Sequence, residues 1–445
     1  LAAIFWLLVN GKTLISSALP AVVKNESAAG LSFTERIQHP LTILLLQIAV
    51  VITAAKLLGS LFKRIGQPAV IGEIAAGIFL GPSLLGWLAP DAMQFLFPAS
   101  SMGTLQLLSQ IGLVLFMFII GLEVDLNVFK TKATEGIVIG HISIVFPFFL
   151  GVILAWFLYS SYSPAGIPFV AYALFMGIAT SITAFPVLAR ILRERKMTKT
   201  PVGSLAILCA AINDVTGWFL LAIVVAIAKA GSINAALMGI VWSFIYVLAM
   251  FAFVKPLLKK LSDKRFIDGK ADITFTGLVF FTLISSSFLA EVIGIHALFG
   301  AFIAGVVMPP SASVRHVFTE KVEGVSVTLL LPLFFAYTGL RTQIGVLNQG
   351  HLWLLSAEII SLAVIGKFVG SAVAARLVGQ TWKDSLTIGA LMNTRGLMEL
   401  IVLNIGYELG ILTTEIFTIM VLMALVTTLM TGPALNLIEA VFRKK

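Results

Sequence analysis

The sequence predicts an all-α polytopic membrane protein of about 13 transmembrane helices, two of them interrupted, arranged as inverted-topology repeats. Three observations predict it. Hydrophobic residues make up 59% of the 445 and charged residues only 11%, against about 25% charged in a soluble domain; mean hydropathy is +1.04. Polar and Gly/Pro clusters divide the chain into thirteen apolar segments, most near the roughly 20 residues that a bilayer core requires of a helix. Basic residues, finally, alternate from loop to loop.

The segments lie near 41–62, 69–88, 102–122, 134–159, 168–189, 202–228, 234–254, 272–293, 295–308, 323–340, 351–377, 384–406 and 414–438. One alternate set of connections carries 22 Lys and Arg and the other only 2, or 5 with the N-terminal segment included. Cytoplasmic loops concentrate Lys and Arg, so the reading is a multi-pass cell-membrane protein with its N-terminus outside and its C-terminus in the cytoplasm. Three regions follow: an N-terminal segment and external linker (1–40), a transmembrane domain (41–440) and a basic cytoplasmic tail (441–445). LAAIFWLLV (1–9) is too short to span alone; a signal remnant, an interfacial helix and the end of a longer helix all fit it. No nucleotide-binding module is expected in the chain.

The formal charge of +9 forms no sustained basic face, so nucleic acid is not an expected partner; membrane lipid is. Cys209, the single cysteine, excludes an intramolecular disulfide and a Cys-based metal centre. His141 and His296 have no partners at metal spacing and read as satisfied helix residues. The 33 Phe read as lipid-facing bulk, and no cofactor is expected.

Two self-matches carry the repeat. LFMFIIGLE (115–123) aligns with LFFAYTGLR (333–341), and IAAGIFLGP (74–82) with FIAGVVMPP (302–310). The offset is seven segments, and an odd offset inverts the second copy in the membrane. Such repeats characterise secondary transporters, which hold substrate near the midplane between the halves.

A charge at the midplane costs about 2.5–3.5 kcal/mol on insertion scales, so each intramembrane ionisable group requires a partner or a task. Asp214 lies deepest, in ILCAAINDVTGWFLLAI. A proton, an alkali cation or a basic side chain can neutralise it, and competition between the first two is the chemistry of exchange. The alternative is a structural Asp214–Lys367 ion pair. Segment five places Thr180, Ser181 and Thr183 before Pro186, whose missing N–H frees an upstream carbonyl; segment twelve carries Asn393, Thr394, Arg395 and Gly396. Unwound backbone at these points would line a cavity and offer oxygens to an alkali cation at Asp214. Glu399 follows Arg395 by four residues, which predicts a within-helix pair, and Arg395 can also offset a half-helix end. Glu123 and Asp125 belong to an interface beside Lys130 and Lys132. Glu73 and Glu291 are secondary proton sites or packing contacts, with packing favoured.

GQPAVIGEIAAGIFLGPSLLG (66–86), GLEVD (121–125), ATSITAFPVLARIL (179–192), NDVTGW (213–218), HALFGAFIAGVVMP (296–309), LPLFFAYTGLR (331–341), IGKFVG (365–370) and NTRGLMELIVLN (393–404) together resemble the monovalent cation:proton antiporters. The similar branch holds glutathione-gated potassium efflux systems, bacterial sodium:proton antiporters and plant cation/H⁺ exchangers. The resemblance, from about Pro40 to Ile438, implies a homodimer with a dimerisation domain and a six-helix core of crossed, interrupted helices that moves like an elevator. It makes Asp214 the ion and proton site, Asn213 its neighbour, Lys367 the basic residue facing it, Thr180 and Ser181 the first break, and Arg395 the second. Electrogenic members carry two acids where this chain has Asn213-Asp214, so the resemblance implies electroneutral exchange of Na⁺ or K⁺ for H⁺. The competing class is a cation channel without obligatory proton coupling. HExxH and GxSxG motifs are absent from the sequence, which argues against an enzyme.

Overall fold

A computed structural model describes residues 39–123, 133–197, 200–229, 233–267 and 270–443. The N-terminal segment before residue 39, Asp125, Lys130, Lys132 and the last two lysines lie outside them. The chain divides into two compact units, 1–46 and 47–445; everything below concerns the larger one except the first turns of the first helix.

The helices are α1 (Pro40–Arg64), α2 (Ala69–Leu80), α3 (Ala99–Glu123), α4 (Ala133–Tyr162), α5 (Phe169–Ser181), α6 (Phe185–Glu194), α7 (Pro201–Lys229), α8 (Ile233–Ala249), α9 (Lys255–Arg265), α10 (Ile273–Ile293), α11 (Ala297–Val306), α12 (Ala312–Val325), α13 (Leu331–Arg341), α14 (Gly350–Val364), α15 (Gly370–Leu377), α16 (Trp382–Met392), α17 (Leu397–Glu408) and α18 (Thr414–Arg443). Among the described residues, ten helical stretches are long and apolar enough to cross a membrane, four of them running on through a turn (Ala69–Leu88, Val241–Arg265, Ala312–Val346 and Gly350–Leu377), and α5 and α11 are shorter apolar helices. Among the described residues, a two-residue antiparallel ladder, Phe266–Ile267 with Lys270–Ala271, is the exception to all-α structure.

π-turns join α8 to α9, α12 to α13 and α14 to α15, at Met250–Val254, Ser326–Leu330 and Ile365–Val369. Pro256 and Pro332 follow the first two within the next turn, where the missing N–H favours a slipped register. Segment-length apolar runs do not reveal such slips.

α2 packs on α13, and α3 on α11. At the first crossing a Cβ added to Gly77 would overlap the carbonyl oxygen of Ala336, and one added to Gly339 that of Ile74. At the second, Gly121 stands in the same way against Phe302 and Gly305 against Phe118. The two self-matches equate Gly77 with Gly305, Gly121 with Gly339, Ile74 with Phe302 and Phe118 with Ala336. One crossing therefore maps onto the other, contact for contact. Only glycine allows helix backbones to approach this closely.

The apolar interior forms two clusters. One joins α6, the first turns of α7 and Ile139 of α4 to α15, α16 and the last turns of α18; the other is larger and includes buried residues of α2, α3, α5, α10, α11, α13, α17 and α18. α7 passes from Cys209 and Ala210 in one cluster to Trp218 in the other, with Asn213 and Asp214 between. α18 passes from Leu435 to Ala424, with buried Thr427, Thr428 and Thr431 between. A polar layer thus crosses the protein where the apolar packing changes.

Candidate ion site

α5 ends at Ser181, residues 182–184 are non-helical with Ile182 extended, and α6 starts at Phe185. Pro186 stands in the first turn of α6, where its N–H would be unpaired anyway. It starts the second half-helix rather than opening the first, so the gap lies upstream of it. The second gap, at 393–396, separates α16 from α17. The two gaps meet: Ala184 N–H donates to Thr394 O at 3.1 Å and Thr183 Oγ1 to Met392 O at 3.0 Å.

The last carbonyls of a helix have no partner within it and carry a partial negative charge. At the end of α5 two buried cations take them. Arg395 Nη1 donates to Ala179 O at 3.0 Å and Nη2 to Thr180 O at 2.6 Å, while Lys367 Nζ donates to Ser181 O. The Thr180 and Ser181 hydroxyls donate back to carbonyls of α5, including Gly177 O at 3.0 and 2.8 Å. This corrects the expectation of carbonyls left open to a cation there, because the side-chain cations already satisfy them. Arg395 also pairs with Glu399 at 3.3 Å, both fully buried. Thr428 ties the second gap to α18, donating to Arg395 O at 2.7 Å.

Lys367 sits in the π-turn after α14, and its second bond goes to Ser143 O at 2.7 Å. Ser143 O is free because Pro147, four residues on, has no N–H to offer it. The ammonium therefore rests on two carbonyls, and the structural Asp214–Lys367 ion pair is not formed in this structure. Asn213 bridges the layer: its Oδ1 accepts from Thr183 N–H at 2.9 Å and its Nδ2 donates to Ser143 Oγ at 3.0 Å.

Asp214 differs from all of these. The residue is 4% exposed, and neither carboxylate oxygen has a hydrogen-bond partner. Asn393 Oδ1, in the second gap, is likewise buried and unsatisfied. A buried polar atom without a partner is costly, and carboxylate and amide oxygens are each hard donors of the kind that alkali cations take.

Residues 45–438 match the family described as sodium/hydrogen exchanger, transmembrane. The chain belongs to the sodium/hydrogen exchanger family. Membership makes it a multi-pass transporter rather than an enzyme. Among curated relatives, this exchanger is similar to the Na⁺/H⁺ antiporter NhaS4 of Synechocystis, 42% identical over 89% of this chain and 97% of the relative. It is also similar to Cation/H⁺ antiporter 17 of Arabidopsis thaliana, 39% identical over 92% of this chain and 49% of the relative. A third is K⁺/H⁺ antiporter 1 of Saccharomyces cerevisiae, 33% identical over 90% and 46%. The chain spans about half the length of the plant and yeast proteins. The sodium proton antiporter MjNhaP1 of Methanocaldococcus jannaschii shares its fold, with a TM-score of 0.66 at 14% identity over 90% of this chain and 99% of that one.

In this family member the structure brings Thr180, Ser181, Asn213, Lys367, Arg395 and Glu399 into one hydrogen-bonded and ion-paired layer around the gaps, with Asp214 adjoining Asn213 in sequence. Glu73 and Glu291 lie elsewhere. Glu73 is half-buried on α2, whose main neighbour is α13. Glu291 is exposed and accepts from Ala297 N–H at 2.8 Å. His296 is not inside a helix: it caps α11 with φ 80°. Sequence reasoning missed Ser143, Thr428 and the unsatisfied Oδ1 of Asn393. Pro147 was the available signal for Ser143, and the run of threonines at 427, 428 and 431 in an apolar helix was the signal for Thr428.

Proposed function

We propose that this chain exchanges Na⁺ or K⁺ for H⁺ as a secondary antiporter, with Asp214 as the shared site. One observation carries the reading: within a layer whose other charges are paired or hydrogen-bonded, both Asp214 oxygens are buried and unpartnered. A carboxylate in that position is stable when it binds a proton or holds a cation. Occupancy by one excludes the other, and that exclusion couples the two fluxes. Asn213 cannot ionise, so a single titratable charge gives one-for-one, electroneutral exchange. Arg395 and Lys367 hold the end of α5 and offset the charge of Asp214 and Glu399 while the site is empty. Asn393 Oδ1 supplies a neutral oxygen to the cation. The antiport names of relatives covering most of this chain support the assignment.

The same reading includes thirteen crossings in an inverted repeat, supported by the equivalent glycine crossings. It also includes N-outside and C-cytoplasmic ends in the cell membrane, a homodimer, and elevator movement of the broken helices. The test is Asp214→Asn in proteoliposomes. The variant is expected to insert and fold, because amide and carboxyl have nearly the same shape, and to lose cation-driven proton movement. Retained coupled exchange would remove Asp214 from the mechanism.

A further inference from the structure

Besides the ion layer, the described residues hold one other dense polar network between helices, at the outer ends of α3, α13 and α17. Arg341 closes α13, and its Nη1 donates to Glu408 Oε1 at 3.1 Å and to Asn404 Oδ1 at 3.2 Å. Its guanidinium lies over the rings of Tyr337 at 4.6 Å and Tyr407 at 5.3 Å. Glu408 also accepts from Gln106 Nε2 at 2.8 Å and Gln110 Nε2 at 3.2 Å, both on α3. Asn404 Nδ2 donates to Thr338 Oγ1 at 2.8 Å, and Tyr337 Oη to Gln106 Oε1 at 3.1 Å.

This network bridges two bodies that otherwise touch little there. α17 packs chiefly on α18 and α5, and its backbone approaches α13 slightly and α3 hardly at all. An open, largely apolar groove of about 670 Å³ lies beside it between α3, α10, α11 and α17, lined by Leu107, Gln110, Ile111, Phe288, Ile405 and Glu408 among others. The outer end of α17 is therefore held by polar side chains on one flank and borders the open apolar groove on another. Hydrogen bonds of about 3 Å do not survive a slide of several ångströms, so any displacement of α17 against α3 and α13 must break them.

We propose that Arg341 and Glu408 form the centre of a latch that closes the extracellular face of this transporter and must open once per cycle. The latch rests on the reading that the broken helices move against α2, α3, α11 and α13. Its residues stand at helix ends that the charge pattern assigns to the outside. Closed, it keeps the ion layer from the external solution; open, it releases α17 toward the groove.

The test joins Gln106 to Glu408 as cysteines, Q106C and E408C, with a short cleavable bifunctional thiol reagent in membrane vesicles. Native Cys209 is fully buried and does not compete. Uptake of radiolabelled Na⁺ or Rb⁺ is expected to stop after cross-linking and to return on reduction, with each single-cysteine variant unaffected by the reagent. Uptake at the untreated rate in the cross-linked protein, or failure of the pair to cross-link, overturns the latch. The antiport reading fails on a different measurement, cation uptake without accompanying proton movement. A second variant, Arg341→Gln, keeps the half-buried position polar. Releasing the closed state should lower the external apparent KM for the cation and raise the internal one, each on the order of fivefold for a partly exposed ion pair. Equal changes on both sides would also overturn the proposal.

Discussion

Arg395 and Glu399 form a buried pair at 3.3 Å, but the two residues are not equivalent, and stability measurements can read the difference. Glu399 has no other partner: neither of its oxygens makes a hydrogen bond. Arg395 keeps two further bonds, to Ala179 O and Thr180 O. Replacing Arg395 by Met strands the Glu399 charge and leaves two carbonyls open, and breaking a buried pair from one side costs about 3–5 kcal/mol. Replacing Glu399 by Met leaves the guanidinium facing the negative end of α5, which offsets its charge, so the cost is about 1–2 kcal/mol. The double variant removes both charges and leaves only the open carbonyls, at about 2–3 kcal/mol. Glu399→Met is thus expected to rescue part of the loss caused by Arg395→Met. Denaturant midpoints of the purified protein in mild detergent, followed by tryptophan fluorescence, supply the measurement. A double variant less stable than Arg395→Met alone would refute the account, since it would mean that Glu399 contributes something other than balance for Arg395.

Wild-type exchange should be nearly insensitive to membrane potential, although each net charge moved would gain about 2.3 kcal/mol per 100 mV; a severalfold rate change under valinomycin clamps with Na⁺ as substrate would sink the one-for-one stoichiometry and the role of Asn213. Gly77→Val and Gly305→Val should each cost at least about 1–3 kcal/mol by overpacking and by similar amounts, whereas Gly103→Ala, with open space around it, should be neutral; unequal losses at the first two would separate the crossings. Asp272 caps α10 by accepting from Phe275 N–H at 2.6 Å, and that bond, with Arg265 at 2.9 Å, holds its carboxyl below the usual range. Its small stabilisation is therefore present at neutral pH and lost as pH falls through that lowered value, so the advantage over Asp272→Asn should vanish in strong acid, and an advantage that persisted there would assign the cap to something other than the charge.

The membrane class, the positions of the apolar helices and the isolation of Asp214 were legible in the sequence because each depends on local composition. Lipid selects runs of about 20 apolar residues, and one carboxylate within such a run stands out without knowledge of its neighbours. The glycines of the two self-matches were legible for a related reason: close helix crossings tolerate no Cβ, so the same letter recurs. Which groups satisfy which was decided only by the tertiary structure. Arg395 meets Ala179 across 216 positions, Lys367 meets Ser143 across 224, and Arg341 meets Glu408 across 67; contacts so remote leave no periodic trace in either partner. Lys367 could be matched to Asp214 by charge alone from the sequence, but the folded chain directs its ammonium to two carbonyls freed by Pro147 and by the end of α5. A charge sets what a residue needs, whereas the packing of distant helices decides which oxygen is there to meet it.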